Sequence, residues 1–527
     1  MSNPLVKIEQ GSLNGAFVDG ELGQFMTFRG IPYAEPPVGK LRFKDPQPPK
    51  SWGGIRDAKN EGNVPPQFGP QINQFIGQDD CLFINVSTNN LTELKPVMVW
   101  IYGGGFTNGS GNADFYRPDY FMQHDVVFVS FNYRLGMLGF LNMDMEDCSG
   151  NQGLKDQVLA LKWVQKNIGA FGGDKNNVTI FGESAGSASV HYLCISPLAK
   201  GLFHKAIAQS GVVINPWAHQ TSNKEYAIKV ATELGCSSSN NEEIVQFLRT
   251  KPIEEILKTQ YEIFDIHPLR LDFHFVPSVD NKCPNPFLPK PLSEMIESGI
   301  DVPLIIGYTS DEGMVSLGSP EFNNEEKISK FITNFEENLC KDLKINSSVA
   351  SKFSNDVKQF YYGDDSIYKT EHDKFVQFKG DVLFASGVWH IVEKQLQKKT
   401  PIYLYKFSHS PEFSLVKMFF QINTKGACHA DDMTHLFYKA LLPQNMQLQK
   451  GTKDYLIMEH MTRMWTDFAK TGNPTPKIDD LIKSKWSSYN SDKKCCQHIV
   501  DNFNTEDNFI ENSWKLWKSI YQKYKLF

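Results

Sequence analysis

The chain has 527 residues, 41% of them hydrophobic and 22% charged, ordinary globular proportions that exclude wholesale disorder and allow a large core. A net charge of −6 without any basic block excludes the electropositive surface that nucleic acid requires. No apolar run comes near the roughly 20 residues needed to cross a bilayer, so no membrane partner is expected.

Short apolar, β-branched runs alternate with helical periodicity, which predicts an α/β protein with a large, mostly parallel sheet and helices on both faces. Residues 97–102 (VMVWIY) and 125–131 (DVVFVSF) are the first two predicted core strands. Over residues 153–168, Leu154, Val158, Leu161, Val164 and Ile168 recur at steps of three and four, one face of a helix, and the FGGD stretch at 171–174 is a stop signal. Further strands are predicted at 178–181 (VTIF), 302–308 and 402–407. These runs are apolar throughout rather than alternating, as strands covered on both faces are. Residues 316–373, charged and Asn-rich, predict surface helices and loops. A last stripe, Ile457, Met461, Trp465 and Phe468, predicts a core-packed helix ending before the TGNP at 471–474. Length alone suggests three or four domains. With no repeat and no low-complexity linker, one domain over residues 1–527 with helical insertions is expected instead.

Residues 1–9 carry neither an apolar stretch nor a small-residue cleavage site, and the chain's last residues match no retention or lipidation signal. The nine cysteines are odd in number and include no C-x-x-C pair, so free thiols in a reducing compartment are expected and zinc spacing is missing. A cytoplasmic protein is the expectation.

The strongest chemical signal is Gly182-Glu183-Ser184-Ala185-Gly186. Gly-x-Ser-x-Gly alone is weak, but here an apolar strand leads in and a helix-compatible run leads out, the context of a nucleophile elbow. A serine on that turn is exposed at the strand end, and the flanking glycines avoid crowding neighbouring strand and helix. The second signal is Gly103-Gly104-Gly105, leaving another predicted core strand upstream. Acyl transfer needs N–H donors aimed at a developing oxyanion, and consecutive glycines let amides turn inward without side chains filling the hole. Gly103, Gly104 and Ala185 are the expected donors.

With both elements in place, the sequence closely resembles the type-B carboxylesterase family, which includes the cholinesterases. Gly30-Ile31-Pro32-Tyr33-Ala34, Asp79-Asp80-Cys81-Leu82-Phe83, Asn132-Tyr133-Arg134-Leu135-Gly136 and Phe468-Ala469-Lys470-Thr471-Gly472-Asn473-Pro474 match its motifs in order. The resemblance implies an α/β-hydrolase fold and a serine esterase that needs no metal or organic cofactor. It places the triad acid at Glu312 in Ser310-Asp311-Glu312-Gly313, with Asp311 a competitor that spacing does not separate. Among thirteen histidines it selects His429, in Gly426-Ala427-Cys428-His429, and leaves His435 as a surface or packing residue. The order Ser184, Glu312, His429 is the one this fold uses. Trp217 and Phe273 are expected to wall an apolar substrate pocket, with Leu383 where close relatives carry an aromatic ring.

Within the family the chain looks most like insect-type α-esterases. Its departures are informative. Residues 1–80 hold no cysteine to pair with Cys81, as secreted members do, and residues 64–80 hold no tryptophan for a quaternary ammonium. Glu183 stands where esterases of juvenile hormone usually carry glutamine, which argues against that specialisation. The expected activity is hydrolysis of small apolar esters through an acyl-enzyme, in detoxification or lipid-ester metabolism, with organophosphates as covalent inhibitors. Slow-turnover sequestration is the alternative, and a non-catalytic adhesion role, which would need a lost triad member, is disfavoured. A neutral histidine base implies loss of activity as pH falls through roughly 5–7.

Overall fold

An eleven-stranded mixed sheet organises the molecule. The computed structural model describes residues 3–69, 74–264, 268–363, 372–500, 503–524 and 526. In chain order the sheet strands are β1 (Ala16–Gly20), β2 (Gly23–Pro32), β3 (Phe83–Thr88), β4 (Lys95–Ile101), β5 (Val127–Phe131), β6 (Gly173–Glu183), β7 (Lys205–Gln209), β8 (Leu304–Thr309), β9 (Ile402–Phe407), β10 (Cys496–Ile499) and β11 (Asn504–Glu506). Their order across the sheet is β11-β10-β9-β8-β7-β6-β4-β5-β3-β2-β1. From β5 to β10 every neighbouring pair is parallel, and antiparallel strands complete both edges.

Five of the parallel strands, β4, β5, β6, β8 and β9, hold the runs that read as continuously apolar; β7 (KAIAQ) and β10 (CQHI) carry polar residues and were not expected. β5, β7 and β8 are buried at every position, as strands covered on both faces must be. β6 begins at Gly173 rather than at the predicted 178, because the Asp174–Asn177 stretch extends the strand with polar residues before the buried segment starts. The predicted helix is α1 (Gln152–Asn167). It is buried well beyond its apolar stripe, since Asp156 receives the Arg134 guanidinium through two bonds of 2.7 and 2.8 Å and the Arg134 backbone N–H at 3.0 Å. Both side chains are essentially solvent-free. Removing one partner of such a pair strands the other charge, which explains the arginine of the NYRLG motif.

α2 (Ala185–Ile195) follows β6 and packs on β6 and β7, and α3 (Lys453–Thr471), the helix predicted from the late stripe, lies against β6 and β4. The expected surface region 316–373 forms short helices whose Phe331, Phe335, Tyr361 and Tyr362 turn inward; its residues 364–371 lie outside the described residues. One continuous apolar cluster runs from Val6 to Tyr521. All nine cysteines are unpaired thiols. Among the described residues no helix is long and apolar enough to cross a membrane.

Because β4, β6, β8 and β9 all point the same way, their C-terminal ends lie along one rim of the sheet, where open α/β sheets hold their ligands. β4 and β6 are neighbours, with Gly182 opposite Ile101. The glycine triplet and the elbow therefore leave the sheet side by side.

Candidate active site

The strand-to-helix turn at Ser184 is tight. Ser184 adopts φ 59° and ψ −122°, a region that side chains rarely occupy, and it is held there by the surrounding chain. Its backbone N–H donates to Gln209 O of β7 at 2.8 Å, and its carbonyl accepts Ala188 N–H at 2.9 Å. A Cβ on Gly186 would fall 2.0 Å from Ile101 O, so only glycine lets the helix start this close to β4. Ala185 is the first residue of α2, and an N–H in a helix's first turn has no intrahelical acceptor.

Across from the elbow lies the β4 exit. A Cβ on Gly103 would stand 3.0 Å from Ser184 Cβ and 2.6 Å from Glu183 O, so any side chain there would fill the space above the serine. Gly104, at φ +92°, caps a turn whose carbonyl accepts Thr107 N–H at 3.0 Å and Asn108 N–H at 3.1 Å. The three residues expected as oxyanion donors, Gly103, Gly104 and Ala185, thus come from two adjacent strand ends that meet at Ser184.

The acid and the histidine arrive on the next part of the rim. After β8, Glu312 opens a short 3-10 turn and accepts Thr309 N–H on Oε1 at 2.8 Å. Its other oxygen, Oε2, lies 2.6 Å from His429 Nδ1. Asp311, the competitor by sequence, faces elsewhere: its Oδ2 accepts Ser310 Oγ at 2.6 Å and Ala427 N–H at 3.0 Å. With Asp311 N–H donating to Ala427 O at 3.1 Å, this stitches the acid turn to the histidine segment. Glu312 is 1% exposed and His429 7%.

Two features of the site were not anticipated. The first is Phe384, whose ring lies 4.4 Å from the His429 ring, carried by the π-helical turn Asp381–Ala385, an irregularity frequent at functional sites. The second is Glu183. His429 Nε2, the atom that would take the serine proton, lies 3.0 Å from Glu183 Oε1. The imidazole therefore stands between two carboxylates. Burial opposes a charged ring, but Glu183 and Glu312 outweigh it and raise the His429 pKa to about 9. Burial likewise pushes Glu183 up, to about 8, with His429 opposing. Each carboxylate favours the charged ring and the charged ring favours each carboxylate, so a proton on Nε2 is held more tightly than on an isolated imidazole.

This has a testable sign. An anion beside Nε2 favours the imidazolium, so loss of activity on acidification sets in at higher pH than the 5–7 window of an ordinary histidine. Glu183→Gln removes that anion, lowers the His429 pKa and is expected to carry the acid limb of kcat/KM about one to two pH units downward. A pH–rate profile of a neutral ester measures it, and a limb that stays put would count against the coupling.

Ser184, His429, Glu183 and Gly103 to Gly105 line one cavity of about 340 Å³. Its walls are largely apolar, with Phe115, Tyr116, Leu271, Phe273, Phe419 and Phe420 among them. Phe273 lines it and packs where a Cβ on Gly105 would come 2.2 Å from its Cζ. Trp217, expected as a wall, is not among the cavity's lining residues; it sits behind Ser184, its ring 3.1 Å from a Cβ placed on Gly211, and donates Nε1–H to Leu383 O at 2.8 Å. The Leu383 side chain lines a separate, more polar cavity of about 710 Å³ that shares Leu271 with the first.

Among the described residues, one cluster has a donor set suited to a metal ion, His409, His435 and Asp454. Its groups meet one another: both Nε2 atoms lie on Asp454 Oδ1, at 2.5 and 3.1 Å, and Asp454 Oδ2 accepts Glu412 N–H at 3.0 Å. His435 is fully buried there, a packing residue that anchors the start of α3 to the segment after His429.

A model of the carboxylesterase family matches residues 2–517. The chain belongs to the carboxylesterase family. This carboxylesterase is 36% identical over 526 residues to the juvenile hormone esterase of Tribolium castaneum, covering 93% of this chain and 87% of that relative. It is 35% identical over 502 residues to esterase E4 of Myzus persicae, covering 91% and 88%. In fold it is similar to the juvenile hormone esterase of Manduca sexta solved with OTFP covalently attached, with a TM-score of 0.87, 27% identity and 100% of both chains covered. The α/β-hydrolase architecture and a serine carboxylic ester hydrolase activity follow.

Proposed function

We propose that the carboxylesterase hydrolyses small apolar carboxylic esters by a Ser184–His429–Glu312 triad and an acyl-enzyme intermediate. The observation that carries this is the 2.6 Å contact of His429 Nδ1 with Glu312 Oε2, in a segment that opens with Ser184 into one apolar cavity. Glu312 keeps the proton of the neutral imidazole on Nδ1, leaving Nε2 as the base. Nε2 takes the Ser184 hydroxyl proton as Oγ bonds to the ester carbonyl carbon. The carbonyl oxygen becomes an oxyanion supported by the amides of Gly103, Gly104 and Ala185. As the intermediate collapses, the C–O bond to the alcohol breaks and His429 returns the proton to the leaving oxygen. Water, deprotonated by the same nitrogen, then cleaves the acyl-Ser184 ester and releases the acid.

The role that fits this pocket is cytoplasmic turnover of foreign or lipid-derived esters. Nine unpaired thiols support the compartment, and Glu183 in place of glutamine supports a breadth beyond juvenile hormone. Organophosphates, whose tetrahedral phosphorus matches the same oxyanion site, are expected to phosphorylate Ser184. A panel of naphthyl and nitrophenyl esters of increasing acyl length, followed by mass spectrometry after paraoxon treatment, tests the reading. Fast turnover of short esters and one adduct on the 182–186 peptide are expected. No hydrolysis, or no adduct on that peptide, would overturn it, and acylation followed by very slow deacylation would point to sequestration.

A further inference from the structure

The apolar cavity above Ser184 contains one buried cation. Lys439 is 6% exposed and lines the cavity, although it follows the apolar run Leu436-Phe437-Tyr438 in a segment that otherwise packs inward. Its ammonium is held by two backbone carbonyls, Phe115 O at 3.3 Å and Met433 O at 3.2 Å. The rings of Tyr116 and Phe437 flank it, with centroids 5.8 and 5.7 Å from Nζ. Three N–H groups with two carbonyl acceptors leave one donor for the cavity.

The position of this cation relative to the reacting atoms follows from the histidine. His429 Nε2 must deliver its proton to the departing alcohol, so the alcohol leaves from the side of the ring where Nε2 is approached. Glu183 marks that side, with Oε1 3.0 Å from Nε2. Lys439 lines the same cavity as Glu183 and is fastened there to Phe115 O and over the Tyr116 ring, two residues that line it as well. Phe273 lies instead against the glycine loop.

We infer that Lys439 forms a leaving-group subsite for esters whose alcohol portion carries a carboxylate, that is, acyl esters of short hydroxy acids. This deepens the proposed ester hydrolysis and depends on it. A carboxylate is the partner that such a site favours for three reasons. An ammonium between two aromatic rings is cut off from most of its water, and a charged acceptor returns more than a neutral one in those surroundings. Burial brings the Lys439 pKa down to about 7, against Asp432 and Glu183, so an incoming anion would hold the charge that burial disfavours. The nearby carboxylates do not bar the way. Asp432 is tied to Gln209 Nε2 at 2.8 Å and Tyr405 OH at 3.0 Å and does not line the cavity. Glu183 is paired with His429, its Oε1 3.0 Å from Nε2, and Asp114 stands exposed at the rim.

The test compares butyryl esters of glycolic, 3-hydroxypropanoic and 4-hydroxybutanoic acids with butyryl esters of simple alcohols of the same length, at pH 7. In the wild type at least one hydroxy-acid ester is expected to match or exceed its neutral counterpart in kcat/KM. Lys439→Met is expected to lower that anionic-to-neutral ratio about tenfold or more, whatever it does to the neutral rate. A ratio unchanged in the variant, or a wild type that prefers the neutral ester at every length, overturns the inference. Should the variant not fold, the wild type alone decides. 4-Hydroxybutanoate is expected to inhibit neutral-ester hydrolysis more strongly than butane-1,4-diol, and equal or weaker inhibition overturns the subsite. Failure of the wild type to hydrolyse any neutral ester would instead strike the proposed function.

Discussion

Ser184→Ala is expected to lower ester hydrolysis by about 10⁴-fold or more while leaving the fold and ester binding in place. The size follows from the absence of a substitute. Ser110 and Thr434 also line the cavity, but neither stands on the strained turn between β6 and α2, where φ is 59° at Ser184. Alanine keeps the Cβ, and the backbone bonds to Gln209 and Ala188 do not use the side chain, so thermal unfolding should be nearly unchanged. Steady-state kinetics on a nitrophenyl ester, with intact-mass analysis after organophosphate treatment, measure both halves of the expectation. Substantial residual turnover with an adduct elsewhere would relocate the nucleophile.

The second large effect separates two adjacent carboxylates. In Glu312→Gln the Thr309 N–H, 2.8 Å from Oε1, requires an oxygen, so the new amide nitrogen must occupy the Oε2 position facing His429 Nδ1. An N–H there forces the imidazole proton onto Nε2, which then cannot accept from serine. Loss of about 10⁴-fold in kcat is expected, the scale known for the wrong tautomer in a serine-protease triad. Asp311→Asn should behave in the opposite way. It weakens the stitch to Ala427 and is expected to cost stability, about 1 kcal/mol for an impaired buried bond, with activity largely retained. Parallel kcat and melting measurements on both variants check the assignment. Equal catalytic losses would contradict it.

Much of this was legible in the residues themselves. β4, β5, β8 and β9 could be read because strands covered on both faces are written as unbroken apolar runs. The elbow could be read because strand, glycines and serine must occur together. The outer strands were missed for the opposite reason. β2 carries GQFMTFRGIP, with exposed and half-buried positions interspersed, and β11 is three mostly exposed residues, so neither leaves a periodic trace. In residues 325–333, charge masked a stripe of Ile328, Phe331 and Ile332 at helical spacing, and an expected surface helix turned out to be half core. Asp311 and Glu312 could not be separated by spacing, because which of them meets His429 is decided by the Ala427 contact from a distant strand exit. The same holds for Glu183, whose motif position says nothing about Nε2, and for Phe384, which reaches the imidazole only through a π-helical turn. Lys439 did leave a trace, a charge directly after an apolar run.

The stitch between Asp311 and the Cys428 region has a further consequence for how such a protein can change. The connection from Phe407 to His429 is long and carries Leu415, Val416, Phe419 and Phe420, all on the cavity wall, yet its far end is fastened to the acid turn by backbone bonds. Substitutions, insertions or deletions in the middle of that connection can reshape what the enzyme accepts while Glu312 and His429 stay in register. Selection can therefore retune appetite and leave the chemistry alone.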